Sequence, residues 1–143
     1  MIRYELEKRL IAGDIEVDDL PDAWDDMYEE FLGIRAPTRS LGVLQDIHWS
    51  MGAFGYFPTY TLGNLYAAQL LAAARKDLPD HDEQMRSGKF DPLLAWMREH
   101  VHQRGSILQP ADLIEEATGS PPSPDAFVEY LRDKVERLYG VTA

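Results

Sequence analysis

Apolar positions recur with helical spacing along most of the 143-residue chain. Ile2, Leu6 and Leu10 repeat every four residues and predict a first helix that ends near Gly13. A second stripe, at positions i, i+3, i+4, i+7 and i+8, predicts a helix that begins around Pro21. The residues of that stripe are Trp24, Met27, Tyr28, Phe31 and Leu32.

The middle of the chain combines irregular segments with one very apolar helix. Residues 34–40 read as a linker, and residues 41–49 as a short helix. Residues 50–57 contain two glycines and predict a turn or a distorted helix. The helix from Thr59 to about Leu78 is apolar nearly all round and rich in alanine, so we expect it to be the buried central helix.

The C-terminal half also has helical patterning. We predict a short polar helix over residues 80–88 and a longer one that starts at Asp91-Pro92. Two further helices are predicted over residues 110–118 and from Ser123-Pro124 onward, and residues 106–108 are a candidate short extended piece. No segment alternates in polarity as a strand does. The predicted fold is therefore an all-α, irregular multi-helix domain spanning residues 1–143.

Composition and charge exclude several classes of protein. The formal net charge is −11, whereas a nucleic-acid binder needs a basic face. Seven acidic residues between Asp18 and Glu30 are expected to form a solvated helix face, with a calcium site as the alternative. The chain has no apolar run long enough to span a membrane and no cysteine, and its first residues do not resemble a signal peptide. These features favour a cytoplasmic protein.

The four histidines do not predict a metal site. His100 and His102 are two residues apart, so on a helix they point in different directions, and we expect one to pack and the other to be solvated. His81 lies in a charged segment and is expected to be exposed. The 143 residues contain no HExxH, GxSxG or phosphate-binding glycine motif. We therefore assign no metal ligand in this chain.

The segment Gly42–Leu65 gathers aromatic and polar side chains around glycines and a proline. Such groups on irregular backbone between helices are typical of a binding or reaction site. If the segment were helical, Gln45 would reach His48, whereas Asp46 would lie too close in sequence to face it. Tyrosines four residues apart would share one face. The residues concerned are Gln45, Asp46, His48, Trp49, Tyr56 and Tyr60.

The sequence GVLQDIHW at Gly42–Trp49 resembles the GxxQDxHW motif of the carboxypeptidase Taq family of HExxH metallocarboxypeptidases. The similarity continues through FGYFPTYTLGN at Phe54–Asn64. It also includes RYELE at the start of the chain and Tyr130-Leu131 with Leu138-Tyr139-Gly140 near its end. The resemblance therefore covers essentially the whole chain.

The resemblance implies a fold and a set of roles. Family members are several times longer, nearly all helical, and bind zinc or another divalent metal through HExxH and a downstream glutamate. This chain resembles their C-terminal part, without the metal-binding half. By the same resemblance, His48 and Tyr56 match the residues that donate hydrogen bonds to the scissile carbonyl as it becomes an oxyanion. Tyr60 would help hold the substrate carboxylate, Gln45 and Asp46 would orient His48 or tie the turn to its neighbours, and Trp49 would pack.

Three interpretations of the whole chain follow. It is the C-terminal portion of a metal-dependent carboxypeptidase that removes C-terminal residues from peptides, inactive alone because the HExxH segment is absent. That segment then belongs to a separate partner chain or to a longer protein. Alternatively, the chain is a non-catalytic helical domain that binds peptides or a protein, or a remnant without function. The resemblance also implies a homo-oligomer.

Overall fold

The computed structural model describes residues 1–141, and it confirms the all-α fold. The described residues form seven α-helices, separated by short 3₁₀ turns, and contain no strand. Residues 106–108 lie in turns and bends rather than in an extended piece. Thr142 and Ala143, the last two residues of the predicted domain, lie outside the described residues. The helices are α1 Ile2–Ala12, α2 Leu20–Leu32, α3 Pro58–Asp77, α4 His81–Arg86, α5 Asp91–His100, α6 Pro110–Thr118 and α7 Asp125–Tyr139.

The chain divides into two compact units, Met1–Thr61 and the residues from Leu62 onward. In the first unit, α1 packs against α2. The predicted stripe of α1 is confirmed, since Leu6 is fully buried and Ile2 and Leu10 are partly buried beside it. The buried centre of this unit is Leu6, Leu20, Trp24 and Val43. The single domain of residues 1–143 stays a prediction.

The stripe of α2 is only half covered. Trp24 is buried and stacks on Tyr28 with ring centroids 4.8 Å apart. Phe31 and Leu32, one turn further on, are 49% and 59% exposed. The acidic residues around the start of this helix lie largely on the solvated side, as predicted.

The predicted helix over residues 41–49 is wrong. Two 3₁₀ turns, Val43–Gln45 and Trp49–Met51, are separated by Asp46 in an extended conformation. The Asp46 carboxylate accepts the backbone N–H of His48 at 2.9 Å. Such a local side-chain hydrogen bond gives the backbone an alternative to the helix.

In the second unit, two expectations about burial are wrong. In α3, every residue of which the structure describes, only Gln69 and Ala74 are buried, and Leu62 is 43% exposed. The helix is thus mostly half-buried or exposed instead of buried all round. His81 is 5% exposed, although it was predicted to be solvated. It begins α4, and with Gln84 and Met85 it follows the inward-facing i, i+3, i+4 pattern of a short amphipathic helix.

For the remaining helices, the sequence pattern predicted the helix ends more accurately than it predicted which residues are buried. Trp96 of α5 is buried and donates its indole N–H to Asp77 at 2.8 Å. In α6, Ile114 and Ala117 are buried. The apolar stripe of α7 is exposed, with Leu131 at 40% and Leu138 at 64%. No helix in the described part of the chain combines the length and apolarity needed to cross a membrane.

Candidate active site

The backbone around His48 is shaped by Asp46. Because Asp46 is extended and His48 turns into a helical conformation, the side chain at position 46 lies beside the imidazole. One carboxylate oxygen, Oδ1, accepts the backbone N–H of His48 and also lies within hydrogen-bond distance of its ring Nδ1. The expectation that Asp46 could not face His48 assumed a helix, and it is wrong for that reason. The Asp46 carboxylate thus contacts both the backbone and the ring of His48.

Asp46 is paired on its other side with Arg3. Its second oxygen, Oδ2, lies 2.6 Å from the Arg3 guanidinium, and the Asp46 side chain is only 4% exposed. The guanidinium also lies over the rings of Trp24 and Phe57, 5.8 and 5.4 Å from their centroids. Cation–π contacts of this kind hold the planar guanidinium in place.

These contacts determine the charge state of Asp46. Burial by itself would raise the pKa of the Asp46 carboxyl. The hydrogen bonds from the backbone and ring of His48, with the positive charge of Arg3, outweigh burial and hold that pKa below its ordinary value. Asp46 is therefore a carboxylate that accepts three donors.

Tyr56 and Tyr60 enclose the imidazole from the other side. The His48 and Tyr56 rings are stacked, 5.1 Å apart and 25° from parallel. The Tyr60 hydroxyl lies 3.3 Å from Nε2 of His48, and the Tyr56 and Tyr60 rings meet edge to face at 5.1 Å. Hydrogen bonding to Tyr56 raises the pKa of Tyr60. The two tyrosines thus share one face with His48, although α3 begins only at Pro58.

This face is open to solvent while its base is buried. Tyr56 and Tyr60 are 42% and 51% exposed, and the His48 side chain is 26% exposed. A groove of about 430 Å³ runs beside Tyr60. Its lining includes Ile2, Arg3, Tyr28, Phe31, Phe57 and Tyr60. Of the three ring groups, Tyr60 lines this groove, while His48 and Tyr56 contact Tyr60 from beside it.

Gln45 does not reach His48, contrary to expectation. The described hydrogen bonds of the His48 ring go to Asp46 and Tyr60. Gln45 is exposed and lines a neighbouring groove of about 310 Å³, which also includes Arg3 and Arg35. The 3₁₀ turn that ends at Gln45 removes the one-turn spacing on which the expected contact depended.

Trp49 packs, as predicted. Its ring meets Trp24 and Phe57 edge to face, at 6.4 and 5.8 Å. Its indole N–H donates to the buried Glu7 carboxylate at 3.3 Å, and the same oxygen accepts the Gly55 backbone N–H at 2.7 Å. Glu7 therefore anchors the turn that leads to Tyr56.

Two residues of this site, Arg3 and Glu7, were not singled out from the sequence. They are four apart in α1 and flank Leu6, which is fully buried. A charged pair at i and i+4 that shares the buried side of an amphipathic helix is unusual, since buried charges are costly without partners. The position of Arg3 and Glu7 on the same side of the helix as Leu6 was the sequence feature that could have identified them.

The described residues do not provide a metal site. In residues 1–141, no group of three or more histidine and acidic side chains is placed so that it could hold a metal ion. His100 stacks on Trp96 at 4.3 Å and is half-buried, whereas His102 is exposed, as predicted from their spacing.

Comparison with known proteins identifies the family. A family model described as Carboxypeptidase Taq (M32) metallopeptidase matches residues 1–135. Thermostable carboxypeptidase 1 of Pyrococcus furiosus is 43% identical over 134 residues, which are 94% of this chain and 27% of that protein. Carboxypeptidase 1 of Bacillus subtilis is 42% identical over 139 residues, which are 97% of this chain and 28% of that protein.

Solved structures agree with these sequence matches. The crystal structure of an M32 carboxypeptidase from Deinococcus radiodurans R1 superimposes with a TM-score of 0.93 at 42% identity, over 98% of this chain and 28% of that one. The chain thus spans a little more than a quarter of the length of its relatives. It belongs to the carboxypeptidase Taq (M32) metallopeptidase family and corresponds to the C-terminal part of a member.

Proposed function

We propose that this chain supplies the oxyanion-stabilising and substrate-facing wall of a metal-dependent carboxypeptidase that removes C-terminal residues from peptides. The observation that carries the proposal is the contact of His48 with Asp46 on one side and with Tyr56 and Tyr60 on the other. The stacked rings of His48 and Tyr56 place a phenol donor beside an imidazole whose Nε2 donates once the ring is protonated. Fixed donors stabilise the charge that develops on a carbonyl oxygen during acyl transfer.

The roles divide by exposure. His48 and Tyr56 are the catalytic donors, and Tyr60 with Gln45 contacts the substrate from the two grooves described above. Asp46 is too deeply buried to meet a peptide and acts through His48. A peptide C-terminus is the substrate that the resemblance to carboxypeptidases implies.

A metal is expected in the complete enzyme, since the family is one of metallopeptidases. The described residues of this chain do not hold one, so hydrolysis requires an HExxH-bearing segment from a longer polypeptide or a partner chain. We infer that the 143 residues alone do not hydrolyse peptides. Half-exposed apolar side chains such as Phe31, Leu32 and Ile47 are candidates for the surface on which that segment packs.

The test is reconstitution. The chain would be co-expressed with the remainder of Bacillus subtilis carboxypeptidase 1, which is 42% identical in the shared part. Release of the C-terminal residue from a peptide with a free carboxylate is measured, with the C-terminally amidated peptide as the substrate control. His48→Ala and Tyr56→Phe should each lower kcat by about 10²–10³, the usual cost of losing one oxyanion donor. Tyr130→Phe, on exposed α7, is the matched control and should retain activity.

Two results would overturn the proposal. One is release of C-terminal residues by the 143-residue chain alone in the presence of added zinc. The other is an active reconstituted enzyme in which His48→Ala and Tyr56→Phe have no effect.

A second function is a non-catalytic helical domain that binds a peptide or a protein. It is favoured by exposed apolar side chains outside the site, among them Leu44, Met51 and Leu138, at 68%, 72% and 64% exposure. Exposed apolar side chains of this kind also suit contact with a second copy of the chain, and light scattering of the purified chain would detect a homo-oligomer. Saturable binding of the free-carboxylate peptide, without hydrolysis in the reconstituted mixture, would favour this second function.

A further inference from the structure

The hydrogen bonds of Asp46 fix the position of one proton on His48. A carboxylate has acceptors only, and a guanidinium has donors only. Oδ2 of Asp46 takes the Arg3 guanidinium, and Oδ1 takes the backbone N–H and ring Nδ1 of His48. Since an ionised carboxylate cannot donate to the ring, Nδ1 must carry the proton. The remaining ring nitrogen, Nε2, faces the Tyr60 hydroxyl at 3.3 Å.

We propose that Arg3 is a positioning residue, which acts through Asp46 to fix His48 with its proton on Nδ1. In the neutral ring, Nε2 then accepts from the Tyr60 hydroxyl, and it donates to a substrate oxyanion only when the ring is an imidazolium. The part of this inference that concerns a substrate oxyanion rests on the proposed function. The position of the proton on the His48 ring does not depend on that function.

The surroundings of His48 fit this assignment. The charged and titratable groups that face the ring are Asp46 and, behind it, Arg3, together with Tyr56 and Tyr60, while Phe57 adds an apolar contact. Arg3 and Asp46 cancel in charge, so a protonated His48 would give the cluster a net positive charge beside the open groove. A positive charge there would attract the developing oxyanion.

Arg3 suits this role because its guanidinium is held by an ion pair and by two aromatic rings, although its side chain is 39% exposed. Its contact with Asp46 is short, at 2.6 Å, and the rings of Trp24 and Phe57 flank its guanidinium. An arginine held in this way keeps the carboxylate ionised and in one orientation. Loss of the guanidinium would free Asp46 to rotate or to take up a proton and donate it.

The test measures which ring nitrogen of His48 carries the proton, in the chain without substrate. The 143-residue chain is labelled with ¹⁵N-histidine, and long-range ¹H–¹⁵N correlation spectra are recorded at a pH where His48 is neutral. In the native chain, Nδ1 should give the shift of a protonated ring nitrogen and Nε2 that of an unprotonated one. His48→Gln identifies the signal.

Substitutions separate positioning from folding. Arg3→Gln should lose the single tautomer, with both nitrogen shifts moving toward averaged values, and Arg3→Lys should restore it. Tyr60→Phe should keep the proton on Nδ1 but move the Nε2 shift, since the hydrogen bond to that nitrogen is lost. Lys8→Gln, an exposed cation on the same helix, is the control and should leave His48 unchanged.

The outcomes are distinct from those of the proposed function. A native His48 that carries its proton on Nε2, or an unchanged tautomer in a folded Arg3→Gln chain, overturns the inference whatever the activity. In the reconstituted enzyme, Arg3→Gln should lower kcat about 10- to 100-fold, as a misplaced catalytic group does, with little change in KM. If the tautomer behaves as expected but His48→Ala leaves activity intact, the proposed function fails and the positioning role stands.

Discussion

The carboxylate of Glu7 accepts the backbone N–H of Gly55 at 2.7 Å, across 48 positions of sequence. Glu7 is 4% exposed, and the same oxygen also takes the indole N–H of Trp49. Arg3, one turn earlier in α1, holds Asp46 on the other side of His48. Two charged residues of one helix thus fix the segments before and after the imidazole, which sets the spacing between His48 and Tyr56.

Removal of the Glu7 carboxylate should loosen the turn before Tyr56. Glu7→Ala leaves the Gly55 N–H and the Trp49 indole without their acceptor in a part-buried place, which costs about 1–3 kcal/mol of unfolding free energy. Urea unfolding followed by tryptophan fluorescence measures this loss. Glu5→Ala is the control, since Glu5 pairs only with exposed Lys8, and should change stability by less than about 0.5 kcal/mol. Equal effects of the two substitutions would show that Glu7 is not an anchor.

The same turn requires a glycine. Gly55 has a φ of +78°, which an L-residue adopts at a cost of about 1–2 kcal/mol. Gly55→Ala should therefore destabilise the chain, although no neighbouring atom lies within 4 Å of the added methyl group. Gly63→Ala is the matched control with the opposite expected sign. Because Gly63 lies inside α3 with open space around it, this substitution should raise the free energy of unfolding by about 0.5–1 kcal/mol. Thermal unfolding of both variants checks the signs, and destabilisation by both would contradict the conformational argument.

The helices were predictable because their periodicity is local. Neighbouring residues alone predicted the positions of α1 and α6. The signals were the stripe of Ile2, Leu6 and Leu10 for α1 and the proline at residue 110 for α6. Burial was harder to predict, because it depends on what covers each face. The apolar composition of α3 did not reveal that Leu62 is 43% exposed, and the charged surroundings of His81 concealed that its ring is buried.

The sequence predicted which residues cluster at the candidate site, but not the hydrogen bonds and ion pairs that connect them. His48, Tyr56 and Tyr60 do cluster, as their motif suggested. Their connections depend on contacts from α1 more than forty positions away in sequence, which no local pattern encodes. The expected contact of Gln45 with His48 is wrong because Asp46 is extended, which removes the helical spacing between positions 45 and 48.

Asp46 should make stability depend on pH. Burial opposes its charge, but the donors of His48 and Arg3 hold its pKa below the ordinary value. A group with a lowered pKa in the folded state adds stability above its unfolded pKa, about 3.9, and loses it as pH falls through the folded pKa. The stability difference between the native chain and Asp46→Asn should therefore be largest near neutral pH and shrink below about pH 4.

Urea unfolding at a series of pH values measures that difference. Asp82→Asn is the control, since a hydrogen bond from Arg75 likewise lowers the pKa of Asp82, but its side chain is 59% exposed. Solvent screening makes such surface pairs contribute little to stability, so the Asp82→Asn difference should change little with pH. A difference for Asp46→Asn that stays constant from neutral to acid pH would contradict the assigned charge state.

Gln69 should be the corresponding anchor of the second unit. Its side chain is buried, with the residue 8% exposed. The amide nitrogen lies 3.0–3.1 Å from three acceptors, which are Thr118 Oγ1 and the carbonyl oxygens of Ser120 and Pro121. The amide oxygen accepts the Ser123 N–H at 3.1 Å. An amide nitrogen has only two hydrogens for these three acceptors, so at least one hydrogen is shared. Gln69→Ala strands the Ser123 N–H in a part-buried place and should cost about 1–3 kcal/mol, with faster amide exchange in residues 118–123. Gln103→Ala, at an exposed position, should change neither quantity, and unchanged exchange in Gln69→Ala would show that the segment after α6 is held by other contacts.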